Sequence, residues 1–136
     1  MSHVTRFAPA SAADAGRHFE SKLRFETDCW DVHASLQQDA GDFVLLDVRS
    51  AGAYARGHID GAINLPHPEI SADTLAGYPQ DVVFVTYCAG PHCNGADQAA
   101  LKIARCGRPV KIMIGGVTGW LDEGFRLVSS NESNEY

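Results

Sequence analysis

The 136-residue sequence contains no run of about 18 consecutive apolar residues, the length a helix needs to cross a bilayer. No membrane-spanning helix is therefore expected. The first twenty residues, MSHVTRFAPASAADAGRHFE, lack the continuous apolar stretch of a secretory signal, so the expected location is cytoplasmic. Positive charge is scarce: 11 Lys and Arg stand against 17 Asp and Glu, a formal net charge of -6. An acidic surface repels phosphate backbones and anionic headgroups, which argues against nucleic acid or membrane as the main partner. Cysteine is sparse too, at Cys29, Cys88, Cys93 and Cys106. A domain of this length needs no disulfide staple, and without an export signal the four are read as reduced thiols. No internal repeat or linker divides the chain.

What is present is an alternation of short apolar runs and short helical patterns. Ser11 caps a helix with Asp14 three residues on, and Ala12, Ala15, Phe19 and Leu23 share one face. This amphipathic helix is expected to lie on the domain surface. Asp28 caps a second helix, with Val32 and Leu36 facing inward and Gly41 as its stop. DFVLLDV and DVVFVTYC are apolar runs of strand type, RPVKIMI is the last strand, and a brief strand is expected around 62–64. SAGAYARG reads as a short helix opened by Ser50, a weak helix falls at 71–76, and GADQAALKIARCG is a helix closed by Gly107. GGVTGWLDEGF reads as a glycine-rich turn holding one helical turn. Buried strands separated by helices predict an α/β fold with an open, twisted, parallel sheet and helices on both faces. Residues 1–27 are expected to form a lead-in and the amphipathic helix, 28–127 the main domain, and 128–136 a polar, disordered tail.

The chemistry concentrates in TYCAGPHCNGADQAA. Ligands of open α/β sheets bind beyond the carboxyl ends of the strands, and Cys88 sits at such an end. The loop that follows leads into a helix N-terminus. Main-chain N–H groups there converge on one point, reinforced by the helix dipole. Pro91 has no N–H, which leaves Ala89, Gly90, His92, Cys93 and Asn94 as candidate donors around a sulfur. A helix N-terminus lowers a cysteine pKa, so Cys88 is expected to be a thiolate at neutral pH.

At this point the chain resembles the single-domain rhodaneses, the sulfurtransferase family. LLDVRSAGAYARGHIDGAINLP is similar to the family's first signature through Asp47, Arg49, Gly57, His58, Gly61, Ala62 and Pro66. TYCAGPHCNGADQAALKIARCG is similar to its active-site loop and following helix, and IGGVTGW to its C-terminal signature through Gly115, Gly116, Gly119 and Trp120. The resemblance implies a five-stranded parallel sheet and a catalytic Cys88 that cycles through a persulfide. It implies substrate contacts from Ala89, Gly90, Pro91, His92, Cys93 and Asn94, with Asp47, Arg49 and His58 in supporting, structural roles. No cofactor and no metal are implied. Thiosulfate-using relatives carry basic residues where this chain has Gly90 and Ala53. The loop AGPHCN contains no Lys or Arg, so a doubly charged donor meets few full charges.

The resulting expectation is a sulfurtransferase that moves sulfane sulfur from thiosulfate, a polysulfide or a persulfide to a thiol or cyanide. The alternative is a non-catalytic persulfide carrier or sensor acting with a partner protein. The N-terminal helix, through Phe19, Leu23 and Phe25, is a candidate for partner docking or homodimerisation, or simply covers the sheet edge. A phosphatase-type site needs an arginine clamp six positions after the cysteine, and Asn94 stands there. A zinc site at Cys88, Cys93 and His92 lacks a second ligand cluster. The spacing of Cys88 and Cys93 exceeds that of a thioredoxin-like dithiol. Three readings of Cys93 stay open: attack on a Cys88 persulfide that closes a disulfide and releases sulfide, protection of Cys88 against oxidation, or a side chain that points into the protein with no redox role. Cys29 and Cys106 are expected to be packing residues.

Overall fold

Alternation along the two longest apolar runs builds the centre of the molecule. The computed structural model describes residues 1–130. In them, β1 (Glu26–Thr27), β2 (Phe43–Asp47), β3 (Ile63–Asn64), β4 (Val83–Tyr87) and β5 (Val110–Met113) form one sheet in the order β1-β5-β4-β2-β3. Every pairing is parallel. Side chains of a strand point to opposite faces in turn. Leu46, Phe84 and Cys88 therefore pack on one side against Ala96, Ala99 and Ile103. Leu45, Val85 and Tyr87 pack on the other against Cys29, Val32 and Trp120. Both faces are covered, as a parallel sheet requires. Burying a side chain such as Phe84 completely contributes about 1.5–3 kcal/mol.

The helices are α1 (Ala12–Phe25), α2 (Cys29–Gln38), α3 (Ala51–Arg56), α4 (Ala72–Leu75), α5 (Gly95–Arg105) and α6 (Gly116–Asp122). Ser11, Asp28, Ser50 and Ser71 cap the first four of these by accepting a backbone N–H three residues on. Three local expectations need adjustment. α2 ends earlier than Gly41, at Asp39 in the left-handed region with φ 52°. The glycine-rich C-terminal segment holds seven helical residues, two turns rather than one. The sheet takes its edge strand from Glu26–Thr27, whose pairing with Ile112 and Met113 creates a strand that two residues alone would not signal.

α1 lies against β1 and β5, and Lys111 Nζ donates to Leu23 O at 3.0 Å. None of its residues is buried, and Phe19, Leu23 and Phe25 stay 60–72% exposed. At the other end, Val128 pairs with His58 through two main-chain hydrogen bonds of 2.8 Å. Most of the polar tail expected at 128–136 lies outside the described residues. No helix among the described residues is long and apolar enough to cross a membrane.

Candidate active site

β4 ends at Tyr87, and Cys88 leaves the sheet from its carboxyl end, flanked by β2 and β5. The loop beyond it is held from the C-terminal side. Val117 N donates to Cys88 O and Thr118 N to Ala89 O, each at 3.0 Å. Thr118 Oγ1 adds a 3.2 Å bond to the same Ala89 oxygen. This approach depends on glycine at 116, where φ is +59° and a Cβ would run into the main chain of Cys88, Ala89 and Gly90. The glycine-rich signature thus acts here by letting one backbone lie on another.

Cys93 N donates to Gly90 O at 3.1 Å, closing a turn with Pro91 and His92 exposed at its tip. The turn carries Cys93 back over Cys88, and the two Sγ atoms stand 2.8 Å apart. Gly95, the first residue of α5, makes room for them: a Cβ there would stand 2.8 Å from Cys88 Sγ and 3.5 Å from Cys93 Sγ. The Cys93 side chain is thus directed at Cys88. Asn94 makes no side-chain cap. Its Oδ1 accepts from Gln98 Nε2 at 2.7 Å, leaving the first amides of α5 unoccupied by a cap.

The electrostatics correct one expectation. Burial first, and the hydrogen bond with Cys93 second, push the Cys88 thiol up to about 11, against the pull of the Ala89 amide. Cys93 is held below the ordinary thiol value, first by the hydrogen bond with Cys88 and then by the Gly95 amide. Within the pair, ionisation is thus disfavoured at Cys88 and favoured at Cys93. The physical reason lies in the donors. Only the Ala89 amide bonds to Cys88, the Cys93 amide is consumed by Gly90 O, and Cys88 is 8% exposed within the core cluster.

Cys88, Gly90, Pro91 and Cys93 line a cleft of about 210 Å³, with Ala96, Met113 and Gly116 in its walls. Ala89, His92 and Asn94 are exposed loop residues that do not line it. Two acidic residues do: Glu26 from β1 and Asp97 from α5, and no Lys or Arg joins them. Sequence reasoning missed both. Asp97 sits in the first turn of α5 and could have been found by counting from Cys93. Glu26 carries no local signal, because only the pairing of β1 with β5 brings it there.

Of the three residues expected to support the loop, Asp47 and Arg49 lie within electrostatic reach of Cys88, and His58 packs at Tyr54 and Val128. Asp47, level with Tyr87 in the sheet, is fully buried and accepts from Arg49 Nε at 3.0 and 3.2 Å and from its Nη2 at 2.7 Å. Arg49 also donates to Gly57 O at 2.6 Å, tying the end of β2 to the end of α3. His58 Nδ1 is 2.7 Å from Tyr54 O and its ring stacks on Tyr54 at 3.7 Å. His58 does not line the cleft.

Residues 31–123 match the family model described as the rhodanese-like domain. A crystal structure of a Bacillus halodurans protein is similar at 38% identity and TM-score 0.84, covering 87% of this chain and 86% of that one. A thiosulfate sulfurtransferase from Pseudomonas aeruginosa shares the fold, at 24% identity and TM-score 0.67, over 85% of this chain and 21% of that one. An HTH-type transcriptional regulator of Mycobacterium tuberculosis is 42% identical over 95 residues, 65% of this chain. The present chain spans 41% of the length of that curated relative.

Proposed function

The chain belongs to the rhodanese-like domain family, and from that premise we propose that it is a sulfurtransferase working through a persulfide on Cys88. The observation that carries the reading is the position of Cys88 Sγ. It lies at the carboxyl end of the central strand, opens onto a cleft, and has a hydrogen-bonded sulfur partner at 2.8 Å. In the first half-reaction Cys88 attacks the outer sulfur of a donor R–S–S⁻. The donor's S–S bond breaks, R–S⁻ leaves, and Cys88 becomes Cys–S–S⁻. The proton on Cys88 passes to the Cys93 thiolate as the attack proceeds, which makes Cys93 the base of the pair. In the second half an acceptor thiolate or cyanide takes the outer sulfur, and the Cys88 sulfur returns as leaving group. The Ala89 amide and the N-terminus of α5 supply positive potential where the charge develops.

The donor class follows from the cleft. Glu26 and Asp97 face it without a compensating Lys or Arg, and the Arg49 guanidinium is already paired with Asp47. A dianion such as thiosulfate is repelled by such a rim, whereas a persulfide or polysulfide brings less charge to be desolvated. The same absence of an arginine clamp disfavours phosphoryl chemistry.

A second reading is a sulfur-carrying sensor. It draws on the relative named as a transcriptional regulator, where the matching segment belongs to a longer chain. Turnover separates the two: an enzyme transfers many sulfur atoms per chain, a sensor holds one modification.

Intact mass after exposure to inorganic polysulfide, and separately to thiosulfate, tests the proposal. The Cys93→Ser chain is expected to gain about 32 Da, one sulfur atom, faster from polysulfide than from thiosulfate, and Cys88→Ser to gain nothing. Sulfur on the Cys88→Ser chain but absent from Cys93→Ser would transfer the nucleophilic role to Cys93 and refute the assignment.

A further inference from the structure

We propose that Cys93 is a built-in resolving residue. When no external acceptor reaches the cleft, its sulfur attacks the Cys88 persulfide, closes a Cys88–Cys93 disulfide and expels hydrosulfide. The inference rests on the sulfurtransfer reading above and adds a second fate for the same intermediate.

The geometry comes first. The sulfurs are 2.8 Å apart, and a disulfide bond of about 2.0 Å needs less than 1 Å of further approach. The turn that positions them is already closed by the Cys93 N–Gly90 O bond, so no chain rearrangement is needed to bring them together. Glycine at 95 leaves the space in which they meet. Both residues line the cleft, which gives the departing sulfur an exit. Cys29, by contrast, donates weakly to the carbonyls of Ile114 and Gly116, does not line the cleft and takes no part.

The chemistry balances without a further oxidant. Cys93, protonated in the loading step, gives up its proton as its sulfur attacks the inner sulfur, Cys88 Sγ. The Sγ–Sγ bond forms, the bond to the outer sulfur breaks, and that sulfur leaves with the electron pair as HS⁻, carrying the proton from Cys93. The sulfane sulfur is reduced by two electrons, and the two cysteines are oxidised to the disulfide. Cys93 suits the attacking role because it stands against Cys88 Sγ, and the hydrogen bond with Cys88 first, then the Gly95 and Ala89 amides, lower its pKa from the ordinary thiol value. An external dithiol, or two equivalents of a monothiol, then reduces the disulfide and reopens the site. The protein would thus convert sulfane sulfur to sulfide at the expense of cellular thiols and pause in a disulfide state when thiols run low.

The test follows the fate of loaded sulfur rather than the rate of loading, since Cys93 also serves as the base. Native chain, Cys93→Ser, Cys93→Ala and Cys88→Ser are exposed to excess inorganic polysulfide without oxygen, freed of small molecules, and followed by non-reducing intact mass and by a hydrosulfide probe. Cys93→Ser and Cys93→Ala are expected to keep the adduct of about 32 Da, whereas the native chain loses it at least about tenfold faster. Its end product is two hydrogens lighter than the reduced chain, with hydrosulfide released and no thiol added. Unloaded native chain stays reduced. A native adduct as long-lived as that of the Cys93 variants overturns the inference and leaves sulfurtransfer standing. If neither Cys93 variant gains sulfur under forcing conditions, the sulfurtransfer reading falls and this inference with it.

Discussion

Replacing Gly95 by Ala is the sharpest perturbation of the site, because it adds one methyl group where two sulfurs meet. Gly95 does not adopt positive φ, so alanine suffers no backbone strain and the effect is steric. The new Cβ would stand 2.8 Å from Cys88 Sγ. Comfortable contact between heavy atoms of this kind begins near about 3.5 Å, so Cys88 Sγ or the start of α5 must yield by about 0.7 Å or more. Overpacking of this sort costs about 1–3 kcal/mol, partly offset by the roughly 0.5–1 kcal/mol that alanine contributes over glycine in a helix. Stability should therefore fall by no more than about 2.5 kcal/mol. Reactivity should fall as well. A displacement near 1 Å at a reacting centre costs about 10²-fold, equivalent to about 2.7 kcal/mol of barrier. The assay is single-turnover transfer of sulfur from polysulfide to a thiol, with thermal denaturation of the same sample as control. A folded Gly95→Ala chain that transfers sulfur within about twofold of native would refute the geometry on which the site is built.

Two further outcomes follow from the same coordinates. Asp47→Ala leaves the Arg49 guanidinium, whose side chain is 13% exposed, without its carboxylate. Urea denaturation should show a loss of about 3–5 kcal/mol, and a loss below about 1 kcal/mol would mean that Arg49 escapes to water. Cys29 is raised to about 11, first by burial and then by Asp28 and Glu123. A folded state that favours the neutral thiol contributes stability below the ordinary thiol value and loses it as pH climbs toward the raised one. The melting temperature should therefore fall between about pH 9 and 11, and less steeply in Cys29→Ala. Equal slopes in the two chains would show that Cys29 ionises freely in the folded protein.

Much of this molecule is written in local pattern. The runs at 43–47 and 82–87 are apolar and β-branched, and they alternate between two core clusters as such runs must. Ser11, Asp28 and Ser50 announce helices because a side-chain oxygen before an apolar-periodic segment answers amides the helix cannot pair. The position of Cys88, between a buried strand and a helix, was legible for the same reason, as were the motifs at 45–66, 86–107 and 114–120 that carry the family resemblance.

Tertiary structure decided what no local pattern encodes. Two residues at 26–27 become a strand only because β5 offers them main-chain partners, and that pairing alone delivers Glu26 to the cleft. Spacing put Cys93 five residues after Cys88 but left its direction open, and the turn at 90–93 settled it by folding one sulfur onto the other. The protonation of the pair depends on burial, on which amides reach which sulfur, and on the charges around them. Those are sums over atoms distant in the chain, which is why the sequence determined where Cys88 sits and only the folded molecule decided which of the two sulfurs ionises more readily.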